Sequence, residues 1–246
     1  MKPLLFVLTA CILFFACQRE IDFGNGTNTG SIVKCTGCSY LPVCDSTKLQ
    51  YIDSTASGTD TLSATLAILG DTAINGRKFT RVTPFAAFSL GLLYNCDGGD
   101  YRIYQDVPHL GIDIDSLVQS LGLPFPIGAI TIPSKIETTI LKANAAAGAT
   151  WSDTVFKFSP LPIFTVVAKL DYKIEEKGIQ RTVLGKRYNN IIHVSSKLNV
   201  AVPLLPVPVN FSVDYYFADG IGIIETKTAN NGVVQTQSKL YQYKIK

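Results

Sequence analysis

The sequence predicts a mainly β protein, folded as a curved antiparallel sheet or an incomplete barrel with one or two short helices. Apolar and polar residues alternate over several runs, which is typical of half-buried strands. In one such run Leu170, Tyr172 and Ile174 are separated by charged residues. Turn dipeptides divide these runs at the spacing of antiparallel hairpins. We expect turns at Asn75-Gly76, Asp97-Gly98-Gly99, Lys177-Gly178, Asp219-Gly220 and Asn231-Gly232.

The N-terminal residues resemble a bacterial lipoprotein signal. Lys2 precedes an apolar run at 4–15 that is too short to span a bilayer, and the small residue Ala16 precedes Cys17. The resemblance implies that residues 1–16 are removed as a signal peptide and that Cys17 is then acylated. An ordinary secretory signal or a short anchor is the alternative, because phenylalanine stands where leucine is usual. Export follows from each of these interpretations.

Residues 17–34 are predicted to form a flexible tether, because 18–28 are polar and rich in Gly and Asn. Two or more acyl chains on Cys17 would make the membrane a permanent partner. Glu20 and Asp22 follow that cysteine closely and resemble the surface-export signal of Bacteroidota-type lipoproteins. We therefore expect a lipid anchor in the outer membrane, on its periplasmic face or at the cell surface.

Four further cysteines are expected to form two disulfides. A zinc site would need four tetrahedral ligands, but only one close CxxC pair is present. An exported compartment also oxidises thiols. Three connectivities remain open, and in each of them we expect the last cysteine to attach the N-terminal segment to the body. The four residues are Cys35, Cys38, Cys44 and Cys96.

The body is predicted to be one β-rich domain over residues 35–246, built from two similar halves of about 35–135 and 136–246. The segment at 76–79, Gly-Arg-Lys-Phe, returns at 185–188 as Gly-Lys-Arg-Tyr, each just after a predicted hairpin and leading into a predicted strand. The best helix signal is 115–121, which begins at an Asp N-cap and is followed by Gly and Pro.

Composition excludes several classes of protein. The chain is 47% hydrophobic and 17% charged, which excludes intrinsic disorder. Its net charge is +3 and its basic residues are not clustered in the sequence, so nucleic acid is not expected as a partner.

Four segments resemble a family of Bacteroidota-type exported lipoproteins. They are Tyr-Leu-Pro at 40–42, INGRKFTRV at 74–82, LGKRYNNIIHV at 184–194 and YYFADGIGIIET at 215–226. The resemblance implies a fold like that of the lipoprotein carriers, a curved antiparallel sheet or an incomplete barrel. It implies no particular ligand.

Catalytic signals are weak. The two histidines are His109 and His193, and the second lies in a predicted strand where a structural role is expected. No nucleophile elbow, P-loop, dinucleotide fingerprint or HExxH motif occurs. Asp113 and Asp115 could pair for glycoside chemistry, but a helix cap explains them better. We expect no enzyme activity, no cofactor and no metal.

Three apolar, proline-rich stretches, at 121–133, 160–164 and 202–208, need a partner for their side chains. They either pack on each other as a cover over the sheet or form a surface for an apolar ligand or a protein. Two functions follow: a non-enzymatic lipoprotein with a binding or structural role, or a carrier that holds a hydrophobic molecule such as an acyl chain. The candidate surface residues are Leu123, Phe125, Ile127, Leu204, Leu205 and Val207.

Overall fold

The computed structural model describes residues 36–85, 90–106, 135–161, 164–201 and 210–245. All regular structure in these ranges is β-strand, so the predicted mainly β class is confirmed. The predicted helix lies outside the described residues. Within the described ranges there is no helix long and apolar enough to cross a membrane.

The described strands are numbered β1 to β13 in chain order. Their bounds are β1 Lys48–Thr55, β2 Gly58–Thr65, β3 Ile68–Ile74, β4 Arg77–Phe85, β5 Leu90–Asp97, β6 Asp100–Asp106, β7 Lys135–Lys142, β8 Thr150–Leu161, β9 Phe164–Val183, β10 Lys186–Ala201, β11 Phe211–Ala218, β12 Gly222–Asn230 and β13 Val233–Lys244.

These strands form two antiparallel sheets. The larger sheet has the order β2-β1-β13-β12-β11-β10-β9-β8, and the smaller one has the order β3-β4-β5-β6-β7. β1 pairs with β13, with Leu49 opposite Tyr243, so the two ends of the described chain lie in one sheet. No ladder between described strands joins the two sheets into a closed barrel.

The core lies between the inner faces of the two sheets. Leu170, Tyr172 and Ile174 of β9 are buried, which confirms the alternation predicted for that run. Each fully buried apolar side chain contributes roughly 1.5–3 kcal/mol to folding. Other core residues include Tyr51, Val82, Tyr94, Ile103, Ile140, Val194, Phe217 and Leu240.

Four of the five predicted turns lie between described strands, and the fifth does not. Asn75-Gly76 and Asn231-Gly232 close two-residue turns in which both residues have positive φ, the geometry that Asn-Gly favours. The turn predicted at Lys177-Gly178 is wrong, because these residues lie inside β9. The register passes from Ile179 opposite Ile191 to Lys177 opposite Ile192, so Gly178, with a φ of 73°, is the extra residue of a β-bulge.

Two hairpin turns in the described ranges were not predicted, and one of them is Ala56-Ser57, which closes the β1–β2 hairpin. Leu184-Gly185 closes the β9–β10 hairpin with φ angles of 47° and 80°. The segments at 76–79 and 185–188 thus each begin with the glycine of a turn of the same kind, although the internal repeat itself stays a prediction.

Side chains connect the two sheets where β7 passes β8. Thr139 of β7 donates its backbone N–H to Asp153 Oδ2 at 2.6 Å. The backbone oxygen of Thr139 accepts the Trp151 indole N–H, also at 2.6 Å. Both polar groups of an edge residue are therefore satisfied by side chains of β8 rather than by a ladder.

Candidate functional site

Residues 36–47, which we call the N-terminal strap, bridge the two sheets. Ser39 accepts a hydrogen bond from Gly220 N–H of the larger sheet's β11–β12 turn, at 2.7 Å. Tyr40 N–H donates to the hydroxyl of Tyr101 in the smaller sheet, at 3.0 Å. The buried side chains of the strap include Cys38, Tyr40, Val43, Cys44 and Thr47. The strap is thus an integral part of the core.

A disulfide between Cys38 and Cys96 joins the strap to β5, with Cα atoms 6.2 Å apart. This bond confirms the prediction that Cys96 attaches the N-terminal segment to the body. Cys44 is also disulfide-bonded, and Cys35 lies outside the described residues. Cys38 and Cys96 therefore do not form a zinc site, because their sulfur atoms are bonded to each other.

An apolar cavity lies between the strap and the two sheets. Its walls include Leu41 and Pro42 of the strap, Tyr51 and Ile223 of the larger sheet, and Ile140 of the smaller one. Its volume is about 30 Å³, enough for about two water molecules. Small-molecule sites usually measure roughly 300–1,000 Å³. This cavity is therefore far too small for an acyl chain.

His193 lies in β10, in the strand predicted for it, on the outer face of the larger sheet. Its Nε2 is 2.9 Å from Asp214 Oδ1, and its Nδ1 is 3.6 Å from Glu176 Oε2. Ser195 donates its hydroxyl proton to Glu175 at 2.7 Å. A hydrolase triad needs one ring nitrogen to face a nucleophile. Because carboxylates face both nitrogens, these residues do not form a Ser-His-Asp triad.

The ring of Tyr216 links His193 to a second group of charges. The imidazole stacks on Tyr216 with the ring centroids 4.3 Å apart, and the Arg181 guanidinium carbon lies 3.6 Å from the same centroid. Arg181 Nε is 2.6 Å from Glu225 Oε2, and Gln237 donates to the other oxygen. Burial alone would raise the pKa of Glu225, but the hydrogen bond and charge of Arg181 outweigh it and lower that pKa.

This outer-face network was missed by the sequence reasoning. It joins β9, β10, β11, β12 and β13, because Glu176, His193, Tyr216, Glu225 and Lys239 are successive cross-strand partners. Alternation within each strand places these residues on one face, but the register that brings them together is set by distant parts of the chain. Since its polar groups pair with one another, the network stabilises the sheet.

The remaining predicted site residues lie outside the described ranges. Among described residues, no group of three or more His, Cys, Asp or Glu is placed to hold a metal ion. The undescribed predictions are the lipidation site Cys17, the cysteine Cys35, the apolar residues Leu123, Phe125, Ile127, Leu204, Leu205 and Val207, and the weak catalytic candidates His109, Asp113 and Asp115.

Comparison with known proteins gives two structural neighbours. No protein-family model matches the chain, and no curated protein matches it. One similar structure is a Bacteroides fragilis protein described as exported and YmcC-like in fold, with 11% identity, a TM-score of 0.40, and coverage of 85% of this chain and 100% of that one. The other is a Parabacteroides distasonis protein described as a lipoprotein, with 11% identity, a TM-score of 0.38, and coverage of 84% and 99%. Sequence identity and TM-scores this low do not indicate a function for this chain.

Proposed function

We propose that this protein is an exported lipoprotein, anchored in the outer membrane through Cys17, with a non-enzymatic binding or structural role. The observation that carries the proposal is the Cys38–Cys96 disulfide within the folded core. Structural disulfides persist in oxidising, exported compartments and are rare in reducing ones. Cys44 is disulfide-bonded as well, so each described cysteine is oxidised.

The position of the disulfide supports anchoring through the N-terminus. The tether enters the fold through the strap, which is bonded covalently to β5 and by hydrogen bonds to both sheets. A force applied to the tether is therefore distributed over both sheets and does not act on a single strand.

A non-enzymatic role is supported by how the polar groups are used. The carboxylates around His193 and Arg181 accept hydrogen bonds from protein side chains on neighbouring strands. Catalytic groups instead converge on a space where a substrate atom can sit. The cavity beneath the strap is too small for an acyl chain, and the stretches at 121–133 and 202–208 that a carrier would use lie outside the described residues, so the carrier stays the alternative function.

Metabolic labelling with palmitate tests the anchor. We expect the native protein to incorporate label and the Cys17→Ala variant to lose it. Cys11→Ala is the matched control, because Cys11 lies in the same predicted signal and should not affect labelling. Equal incorporation by the native protein and the Cys17→Ala variant would refute the proposed anchor.

A further inference from the structure

Three lysines form a diagonal row on the outer face of the larger sheet: Lys157 on β8, Lys169 on β9 and Lys197 on β10. All three are exposed. The register places Lys169 opposite Asn199, two residues beyond Lys197, and places Lys157 opposite Val167, two residues before Lys169. Each lysine is thus the diagonal neighbour of the next, at a spacing of roughly 7–8 Å. We call these three residues the lysine face.

The described carboxylates leave the lysine face without an ion pair. Asp171 is the cross-strand partner of Lys197, but Ser152 donates to its Oδ1 at 2.6 Å and Asn199 donates to its Oδ2 at 3.1 Å. Some other described lysines do form ion pairs: Lys78 with Asp71, Lys173 with Glu175 and Lys227 with Glu225. Ser152 and Asn199 are neutral donors, so Asp171 keeps its negative charge, and the three lysines together with Asp171 carry a net charge of +2.

The surroundings of the lysine face suit anions. Thr154 and Asn199 flank Lys169 in the same cross-strand row and carry neutral hydrogen-bond donors. Neighbouring like charges repel one another, and an anionic partner would relieve that repulsion. The observations thus point to a negatively charged partner for this part of the sheet.

We propose that the lysine face docks on the anionic lipid headgroups of the membrane in which the protein is anchored. This inference rests on the proposed lipid anchor. Residues 18–35 span at most about 65 Å when extended, so the tether keeps the sheet close to that membrane. Tethering supplies a high effective concentration, so a weak contact is sufficient. Each lysine near an anionic surface favours the docked state by about fivefold, and the net charge of two that remains beside Asp171 favours it by about 25-fold.

The chemistry of the lysine face favours a lipid surface over an acidic protein. An ammonium group is a point charge on a flexible stem, whereas planar, bidentate recognition of a carboxylate is better performed by arginine. The three lysines lie in a row across pleated strands and do not converge on a pocket. A layer of mobile headgroups can neutralise such a row without a fixed geometry.

Lysine labelling of the full-length, lipidated protein tests the inference. The protein is reconstituted in vesicles of phosphatidylcholine alone or of phosphatidylcholine with phosphatidylglycerol, and an amine-reactive reagent is applied. Peptide mass spectrometry then measures the modification of each lysine. In the anionic vesicles we expect several-fold lower modification of Lys157, Lys169 and Lys197, reversed by high salt. Lys78, on the smaller sheet, is the internal control and should react equally in both vesicles.

The alternatives give distinct results. Equal modification of the lysine face in both vesicles would overturn the inference. Protection by added polyglutamate, without protection by anionic lipid, would also overturn it and indicate an acidic protein partner. Protein that fails to remain with either vesicle would refute the anchor and not the lysine face. A variant with Lys157→Gln, Lys169→Gln and Lys197→Gln should change folding stability little, and its control lysine should react as in the native protein.

Discussion

Two side chains of β8 form hydrogen bonds to the backbone of β7 where the two sheets meet. Asp153 and Trp151 of β8 satisfy the backbone N–H and C=O of Thr139, which no ladder between β7 and β8 reaches. Burial raises the pKa of Asp153, and the hydrogen bond from Thr139 only partly offsets that effect. The Asp153 carboxylate therefore accepts the Thr139 N–H, but keeping that carboxylate charged in a partly buried position costs free energy.

Replacing Asp153 separates these two roles. Asp153→Asn keeps an oxygen acceptor for Thr139 and removes the charge, so we expect the variant to be at least as stable as the native protein at pH 7. Asp153→Ala removes the acceptor and should lower the free energy of unfolding by about 1–3 kcal/mol. Chemical denaturation of the three proteins provides the comparison.

The pH dependence of this effect has a definite sign. Because the folded-state pKa of Asp153 is raised, ionisation disfavours folding above the unfolded-state pKa of about 3.9. The stability gained by Asp153→Asn should therefore be absent at lower pH, grow as the pH rises through the folded-state pKa, and then stay constant. An advantage that is largest in acid would contradict this account.

At the scale of elements, the turns show what the sequence could and could not reveal. Asn75-Gly76 was predictable because both residues readily adopt positive φ. Leu184-Gly185 was not, because leucine adopts positive φ only with strain and Gly185 alone does not distinguish a turn from a bulge. Lys177-Gly178 misled the prediction because the same glycine chemistry serves a bulge inside β9. Glycine signals a local backbone conformation, but only pairing partners decide whether the chain reverses there.

Relieving the strain at Leu184 should stabilise the protein. Its side chain is 42% exposed, so replacement loses little packing. Leu184→Asn is expected to raise the free energy of unfolding by about 1 kcal/mol, since Asn tolerates the left-handed region better. Asn75→Leu, at the matching position of the β3–β4 turn, should lower it by a similar amount. Denaturation midpoints test both changes, and a destabilised Leu184→Asn variant would show that the leucine makes a needed contact.

The whole molecule combines predictable strands with an arrangement that local patterns do not encode. Alternation identified the buried face of β9, because side-chain period is a property of each strand alone. The pairing of β1 with β13 and the grouping of His193 with Asp214 depend on residues far apart in sequence. Cysteine count and signal pattern indicated disulfides, but the Cys38–Cys96 pairing required three-dimensional structure.

Breaking that disulfide should weaken the entire fold. The Cys38–Cys96 bond closes a loop of 58 residues, and such bonds typically contribute about 2–4 kcal/mol. We expect a variant with Cys38→Ser and Cys96→Ser to melt at a lower temperature than the native protein, measured by circular dichroism. Unchanged melting would mean that non-covalent contacts alone hold the strap.

Peptide mass spectrometry of the native protein, digested without reduction, tests the central claim most directly. We predict an N-terminal peptide that begins at acylated Cys17, together with a disulfide-linked pair of peptides containing Cys38 and Cys96. Because Cys44 is also bonded, Cys35 is its expected partner among the cysteines outside the signal. An N-terminus that retains residues 1–16, with unmodified Cys17 and free thiols at Cys38 and Cys96, would contradict the account of an exported, lipid-anchored protein.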